Sequence, residues 1–329
     1  MIAMLASLNE GDTEQLYAIA LQLAATEARR GRVEVANELQ NQVAIARRKA
    51  DPSSGLEGRR ISKVVVPITQ PIGEIQKLLV TSAPTLRLSD LVLTPIVRER
   101  LQVFVDQQRE RDTLRSHGKV PPSRLLIMGP PGSGKTMTAS ALAGELHLPL
   151  HSVQLDSVIT RFMGETASKL RMIFDQISSR RGVYLFDEFD AIGGKRTLDN
   201  DVGEMRRVLN SFLQFMEEPN ATDSVVIAAT NHPELLDEAL FRRFDDLVRF
   251  KLPDLSMVET FLRDRLSPFE TTRVDWNSIA QEGVGLSQAE IAKASDEVIR
   301  DLIISRRKAV TNESLHKALG HRKRLAEAH

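Results

Sequence analysis

Arg124-Leu-Leu-Ile-Met128 runs directly into Gly129-Pro130-Pro131-Gly132-Ser133-Gly134-Lys135-Thr136, and a helix-forming stretch begins near Lys135. The order is apolar strand, glycine-rich turn, helix, which is the context in which a G-x-x-x-x-G-K-T turn binds phosphate. Glycines allow successive backbone N–H groups to turn inward around an anion, and the positive end of the following helix adds to the attraction. Lys135 can then reach the β- and γ-phosphates, and the Thr136 hydroxyl can bind Mg²⁺.

Outward from this turn, short apolar or β-branched runs alternate with helical stretches. Strands are expected at Leu125 to Met128, Leu150 to Leu155, Val183 to Phe186, Val225 to Ala229 and Leu247 to Phe250. Between them, Ala167, Leu170, Ile173 and Ile177 mark one helical stripe, and Val202, Met205, Leu209, Phe212 and Met216 another. Such alternation predicts an α/β fold, a parallel sheet covered by helices on both faces. After Pro253 the β-runs stop. Val258 to Leu266, Trp276 to Gln281, Ser287 to Arg306 and Glu313 to Leu319 then read as a small all-helical region.

The other end of the chain is also helical in pattern. Leu16, Ile19, Ala20 and Leu23 form one stripe and Ala36, Leu39, Val43 and Ala46 a second, with Gly31 between them at a helix stop. We therefore divide the chain into an N-terminal helical hairpin (1–50), a connection (51–87) whose first part carries Pro52, Ser53, Ser54 and Gly55, an α/β domain (88–252) and a helical domain (253–329). A total of 329 residues, at roughly 150 per domain, accommodates this division.

A phosphate-binding turn that uses Mg²⁺ needs a carboxylate at the end of a neighbouring strand, because the ion is hard and takes oxygen ligands. Val183-Tyr-Leu-Phe186-Asp187-Glu188 supplies a pair. Asp187 would hold the metal directly or through water, and Glu188 would orient and deprotonate an attacking water. The seven histidines show no HExxH spacing; His117, His147, His151 and His232 read as loop or surface residues.

Composition removes other classes. Lys and Arg total 44 and so do Asp and Glu, so no global field draws the chain to nucleic acid or anionic lipid. Aromatics are only 5%, leaving few platforms for stacking bases. With no cysteine, disulfides, thiol catalysis and Cys-ligated zinc are excluded together, and a cytoplasmic setting is expected. No apolar run reaches the roughly 18 residues of a membrane span, and the opening segment lacks the basic start of a secretory signal.

With these motifs in view, the chain resembles the AAA family of ring-forming ATPases over residues 88 to 322. DEFDAIGGKR (187–196) looks like the second Walker motif and its continuation, VVIAATNHPELLDEALFRRFD (225–245) like the sensor strand followed by the arginine-finger segment, and GLSQAEI (285–291) like the start of the lid helix. The resemblance implies ATP and Mg²⁺ as ligands, and it implies roles. Asn231 would contact the attacking water or the γ-phosphate. One or both of Arg242 and Arg243 would project into a neighbouring subunit's site, where a planar guanidinium suits spread phosphoryl charge. Phe162, Met163 and Gly164 match an aromatic-hydrophobic-glycine loop that lines a central pore. Leu91 and Val92 match the segment whose backbone meets the adenine, and Met137 and Ala289 complete the nucleotide contacts. Gln288 stands where many relatives carry glycine.

The resemblance points to proteasomal, protease-linked and severing or meiotic remodelling members, including compact bacterial ATPases paired with a subtilisin-like protease. It implies a homo-oligomer, a hexameric ring, that threads or remodels a protein client, with the hairpin choosing that client and a separate protease as a further partner. The alternative is a switch that binds ATP, assembles and controls an effector without threading anything. A motor on nucleic acid is disfavoured by the charge balance.

Overall fold

The computed structural model describes residues 73–159, 163–193, 202–236 and 238–327, all within one compact unit of the chain. The hairpin expected over 1–50, the connection as far as 72, and Phe162 lie outside the described residues.

Six strands form one sheet: β1 (Leu79–Ser82), β2 (Arg124–Met128), β3 (Leu150–Val153), β4 (Val183–Phe186), β5 (Val225–Thr230) and β6 (Asp246–Arg249). Their spatial order is β1-β3-β4-β5-β2-β6, parallel throughout except that β1 pairs antiparallel with β3. The glycine-rich turn leaves the end of β2, which lies between β5 and β6. The acid pair leaves the end of β4, on the other side of β5. Parallel registry thus brings three strand ends, Met128, Phe186 and Thr230, to the same edge of the sheet.

The central strands are apolar on both sides because both sides are covered. On one face Leu126, Met128, Tyr184, Phe186, Val226 and Ala228 pack with Leu170, Ile173, Phe174 and Ile177 of α5 (Met163–Ser179) and Phe212 of α7 (Val202–Glu217). On the other, Leu125, Ile127, Val183, Leu185, Val225 and Ile227 pack with Leu101, Phe104 and Val105 of α1 (Pro95–Arg109) and Ala139, Leu142 and Ala143 of α3 (Lys135–Leu146). Successive residues of one strand therefore enter different cores, the period of two that a pleated strand imposes. Phe212 is fully buried, with its ring 5.1 Å from that of Phe186, 5.4 Å from Phe174 and 4.8 Å from Phe189.

Short helices α2 (Arg111–Ser116), α4 (Leu155–Val158), α6 (Asp190–Gly193) and α8 (Glu238–Phe241) complete the α/β part. Beyond it, α9 (Leu255–Leu266), α10 (Trp276–Gly283), α11 (Gln288–Ser305) and α12 (Asn312–Glu327) enclose a third core built on Val258, Leu262, Ile279, Ile291, Val298 and Leu315. Asp254, Asp275 and Ser287 cap the first three of these helices by accepting backbone N–H bonds, a contribution of about 1 kcal/mol each. No helix among the described residues is long and apolar enough to cross a membrane.

Three differences from the sequence reading have physical causes. Leu79–Ser82, left within the 51–87 connection, is an edge strand; four residues carry little periodicity of their own, and their partner is distant in sequence. Met163 and Gly164, read as loop, form the first turn of α5, where the Ser168 hydroxyl donates to the Gly164 carbonyl at 2.7 Å. His151, read as surface, is fully buried on β3, its ring stacked 4.6 Å from Tyr184 and its Nδ1 2.8 Å from the Thr81 hydroxyl.

Candidate active site

The glycine-rich turn adopts its shape at positions whose positive φ favours glycine. Gly132 has φ +71°, and a Cβ there would lie 2.6 Å from Ser287 Oγ and 2.9 Å from Ala289 Cβ. Gly134, at φ +94°, is the left-handed residue preceding α3. The turn therefore curls tightly between the end of β2 and the start of α11, and the Ala289 N–H donates to the Gly132 carbonyl at 3.0 Å.

Lys135, the first residue of α3, is nearly buried. Its ammonium donates to the Gly129 carbonyl at 2.9 Å, the Pro130 carbonyl at 2.9 Å and Asn231 Oδ1 at 2.6 Å, using all three N–H groups. Burial lowers its pKa from the ordinary lysine value, while the charges of Asp187 and Asp190 oppose that fall. Asn231 is set by the turn after β5, where Thr230 Oγ1 donates to Asp190 at 2.9 Å and accepts from the His232 N–H at 3.0 Å.

The Thr136 hydroxyl donates to the Asp187 carboxylate at 2.6 Å. Next along the chain, Glu188 has φ +51°, uncommon for a residue with a side chain and costing about 1–3 kcal/mol. Neighbouring contacts enforce it: Phe189 is driven into the core and its N–H donates to the Ala229 carbonyl at 2.8 Å, while the Glu188 N–H donates to Asp187 Oδ1 at 3.0 Å. The reversal leaves the Glu188 side chain exposed beside Asp187.

These groups line one cleft of about 530 Å³, within the size range of small-molecule sites. One wall carries Pro131 to Thr138 with Asp187, Glu188 and Asn231; another carries Asp90 to Leu93; the helical part supplies Phe261, Asp264, Arg265, Gln288, Ala289 and Ala292. The Asp90 to Leu93 wall is held from behind by Arg98, which donates to the Leu88 carbonyl at 2.8 Å and the Leu91 carbonyl at 2.6 Å.

The residues fit a nucleoside triphosphate with a divalent cation. Ser133 Oγ is buried without a hydrogen-bond partner, an acceptor-seeking hydroxyl within the phosphate-binding turn. Among the described residues no group of three or more His, Asp or Glu could hold a metal ion alone. A Thr hydroxyl with one carboxylate is instead the donor set for Mg²⁺, which keeps waters and takes phosphate oxygens as its other ligands.

Thus Lys135, Thr136, Met137, Asp187, Glu188, Asn231, Leu91, Val92 and Ala289 share the cleft. Arg242 and Arg243 do not line it; both are exposed. Arg243 pairs with Glu217 at the end of α7, whereas Arg242 has no ion-pair or hydrogen-bond partner among the described residues. Phe250, Phe261, Asp264 and Arg265 were not singled out by sequence reasoning. They come from segments without a motif, and only folding brings them to the cleft.

Comparison with known proteins identifies the family. The family model described as ATPase family associated with various cellular activities (AAA) matches residues 125–252. The chain is 38% identical over 235 residues to the uncharacterized AAA family ATPase y4kL of Sinorhizobium fredii, covering 70% of this chain and 69% of that protein. It is 36% identical over 242 residues to the ATP-dependent zinc metalloprotease FtsH 1 of Methylacidiphilum infernorum, covering 71% of this chain and 37% of that protein. With the proteasome-activating nucleotidase of Thermococcus gammatolerans the identity is 36% over 222 residues, 64% of this chain and 56% of the other. The chain therefore spans little more than a third of the FtsH protein and just over half of the nucleotidase. On the strength of these matches, the chain belongs to the AAA family and is an ATP-binding ATPase.

Proposed function

We propose that this ATPase works with Mg²⁺ as a ring of identical subunits and spends ATP hydrolysis on remodelling or threading a protein client. The observation that carries the catalytic part is the convergence of Lys135, Asn231, Thr136 and Asp187 through two 2.6 Å hydrogen bonds at one edge of the sheet.

In this reading the backbone of Gly129 to Gly134 and the buried Ser133 hydroxyl cradle the phosphates, and Lys135 moves from backbone carbonyls to phosphate oxygens. Thr136 and Asp187 hold the cation. When bound, Mg²⁺ neutralises charge on the β- and γ-phosphates. Glu188, exposed on its left-handed backbone, orients a water and takes its proton; Asn231 fixes that water or the γ-phosphate. Leu91, Val92, Met137 and Ala289 surround the base and ribose.

The ring is supported by Arg242, an exposed guanidinium that neither lines its own cleft nor has an ion-pair partner among the described residues. Supplied to a neighbour's cleft, it would stabilise transition-state charge by about 10³- to 10⁵-fold in rate. We assign residues 88–252 to the ATPase domain and 253–329 to the lid, with 1–50 binding client or partner and Phe162, Met163 and Gly164 gripping polypeptide. The protein client is supported by the names of the relatives, an ATP-dependent metalloprotease and a proteasome-activating nucleotidase.

Mixing subunits carrying Lys135→Ala with subunits carrying Arg242→Ala tests the shared site, because intact halves can meet only across an interface. Recovery of ATPase activity is expected, and none at any ratio argues against the ring. Phe162→Ala then separates the two modes of action: loss of client processing with turnover intact supports threading, and unchanged control of an effector supports a switch.

A further inference from the structure

We propose that Gln288 is a positioning residue that fastens the lid to the base-side wall of the cleft and sets how long a nucleotide stays bound. The inference rests on ATP occupying the cleft described above.

Three carbonyls in and beside the base-side wall are anchored by side chains. Arg98, from the same domain, satisfies those of Leu88 and Leu91. The third, Val92, accepts from Gln288 Nε2 at 2.9 Å across the cleft. Gln288 is the first residue of α11, fixed by the Ser287 cap, and its neighbour Ala289 donates to Gly132 at 3.0 Å. Adjacent residues at one helix start thus tie the lid to both sides of the cleft, to the phosphate-binding turn and to the base-side wall.

The glutamine reaches because the turn leaves room. Its Oε1 would lie 3.1 Å from a Cβ on Gly134, so the carboxamide rests against the backbone of the turn while its nitrogen faces Val92. A glycine or alanine at this position offers no donor, leaving the Val92 carbonyl without this partner. In this proposal a bound nucleotide leaves when the lid parts from the core, the kind of opening step that often limits turnover. A hydrogen bond made in the closed arrangement and lost on opening slows departure without touching the reacting atoms. Its typical net strength corresponds to roughly 2- to 10-fold in rate.

The test is stopped-flow displacement of a fluorescent ATP analogue, with Mg²⁺, from the full chain and from Gln288→Ala and Gln288→Glu. Glutamate keeps the volume and removes the donor, so it separates the hydrogen bond from mere space filling; thermal melts show that both variants are folded. Release roughly 2- to 10-fold faster in both variants is expected, with KM raised and kcat at saturation not reduced. Parent-like release from Gln288→Glu would show that only bulk matters and would overturn the proposal, as would parent-like release from Gln288→Ala. If the parent itself binds no nucleotide, the reading of the cleft fails and the clasp with it.

Discussion

The Thr136 hydroxyl and the Asp187 carboxylate meet at 2.6 Å, joining the first turn of α3, which follows β2, to the end of β4 across the intervening β5. Both are short oxygen-bearing side chains held by rigid elements. Asp187→Ala should therefore leave the fold intact and raise the Mg²⁺ concentration required for ATP hydrolysis by about 10- to 100-fold. A metal titration at fixed ATP measures this, and an unchanged midpoint would place the cation elsewhere.

Glu188 is exposed on a left-handed backbone, and among the described residues its side chain has no partner to lose. Glu188→Gln should keep ATP affinity within about threefold while slowing turnover by about 10²- to 10⁴-fold, the usual contribution of a positioned base. Single-turnover hydrolysis beside equilibrium binding separates the two quantities. Near-parent turnover would assign water activation to another group.

The adjacent arginines should behave differently. Arg242→Ala is expected to abolish nearly all ATPase activity at assembling concentrations with nucleotide binding preserved. Arg243→Ala loses an exposed ion pair with Glu217, which is worth at most about 1 kcal/mol of stability. Equal loss of activity from both substitutions, or none from Arg242→Ala, would refute the division of roles.

His151 predicts a pH dependence of folding. Burial, and secondarily the charge of Arg180, lower its pKa from 6.5 to about 4. The unfolded chain therefore takes up the proton at higher pH than the folded one, and stability present at neutral pH is lost as pH falls from 6.5 towards 4. The slope is up to about 1.4 kcal/mol per pH unit. Urea unfolding between these limits should show a shallower slope for His151→Phe than for the parent; identical slopes would mean that His151 titrates freely.

Much of the fold is legible in the sequence because the informative runs are local. Leu125 to Met128, Val183 to Phe186 and Val225 to Ala229 are apolar without interruption, and each ends at a residue suited to a ligand. The stripe of Leu170, Ile173 and Ile177 likewise identifies α5. What escapes is what depends on distant partners. Leu79 to Ser82 becomes a strand only by pairing with β3, and His151 is buried only because Thr81 and Tyr184 close over it. At the site, the turn and acid pair carry their own signatures. The link from Gln288 to Val92 spans most of the chain, so the residue types alone show no sign of it.

Sending alternate side chains of β2, β4 and β5 into separate cores makes the sheet a partition through which packing damage passes poorly. Leu185 and Phe186 are covalent neighbours yet pack against different helices, while Phe186 and Phe212 share one aromatic cluster from distant parts of the chain. Truncating the first pair should give nearly additive losses and truncating the second a pronounced coupling. Sequence proximity is then the poorer guide to which substitutions this protein can tolerate together.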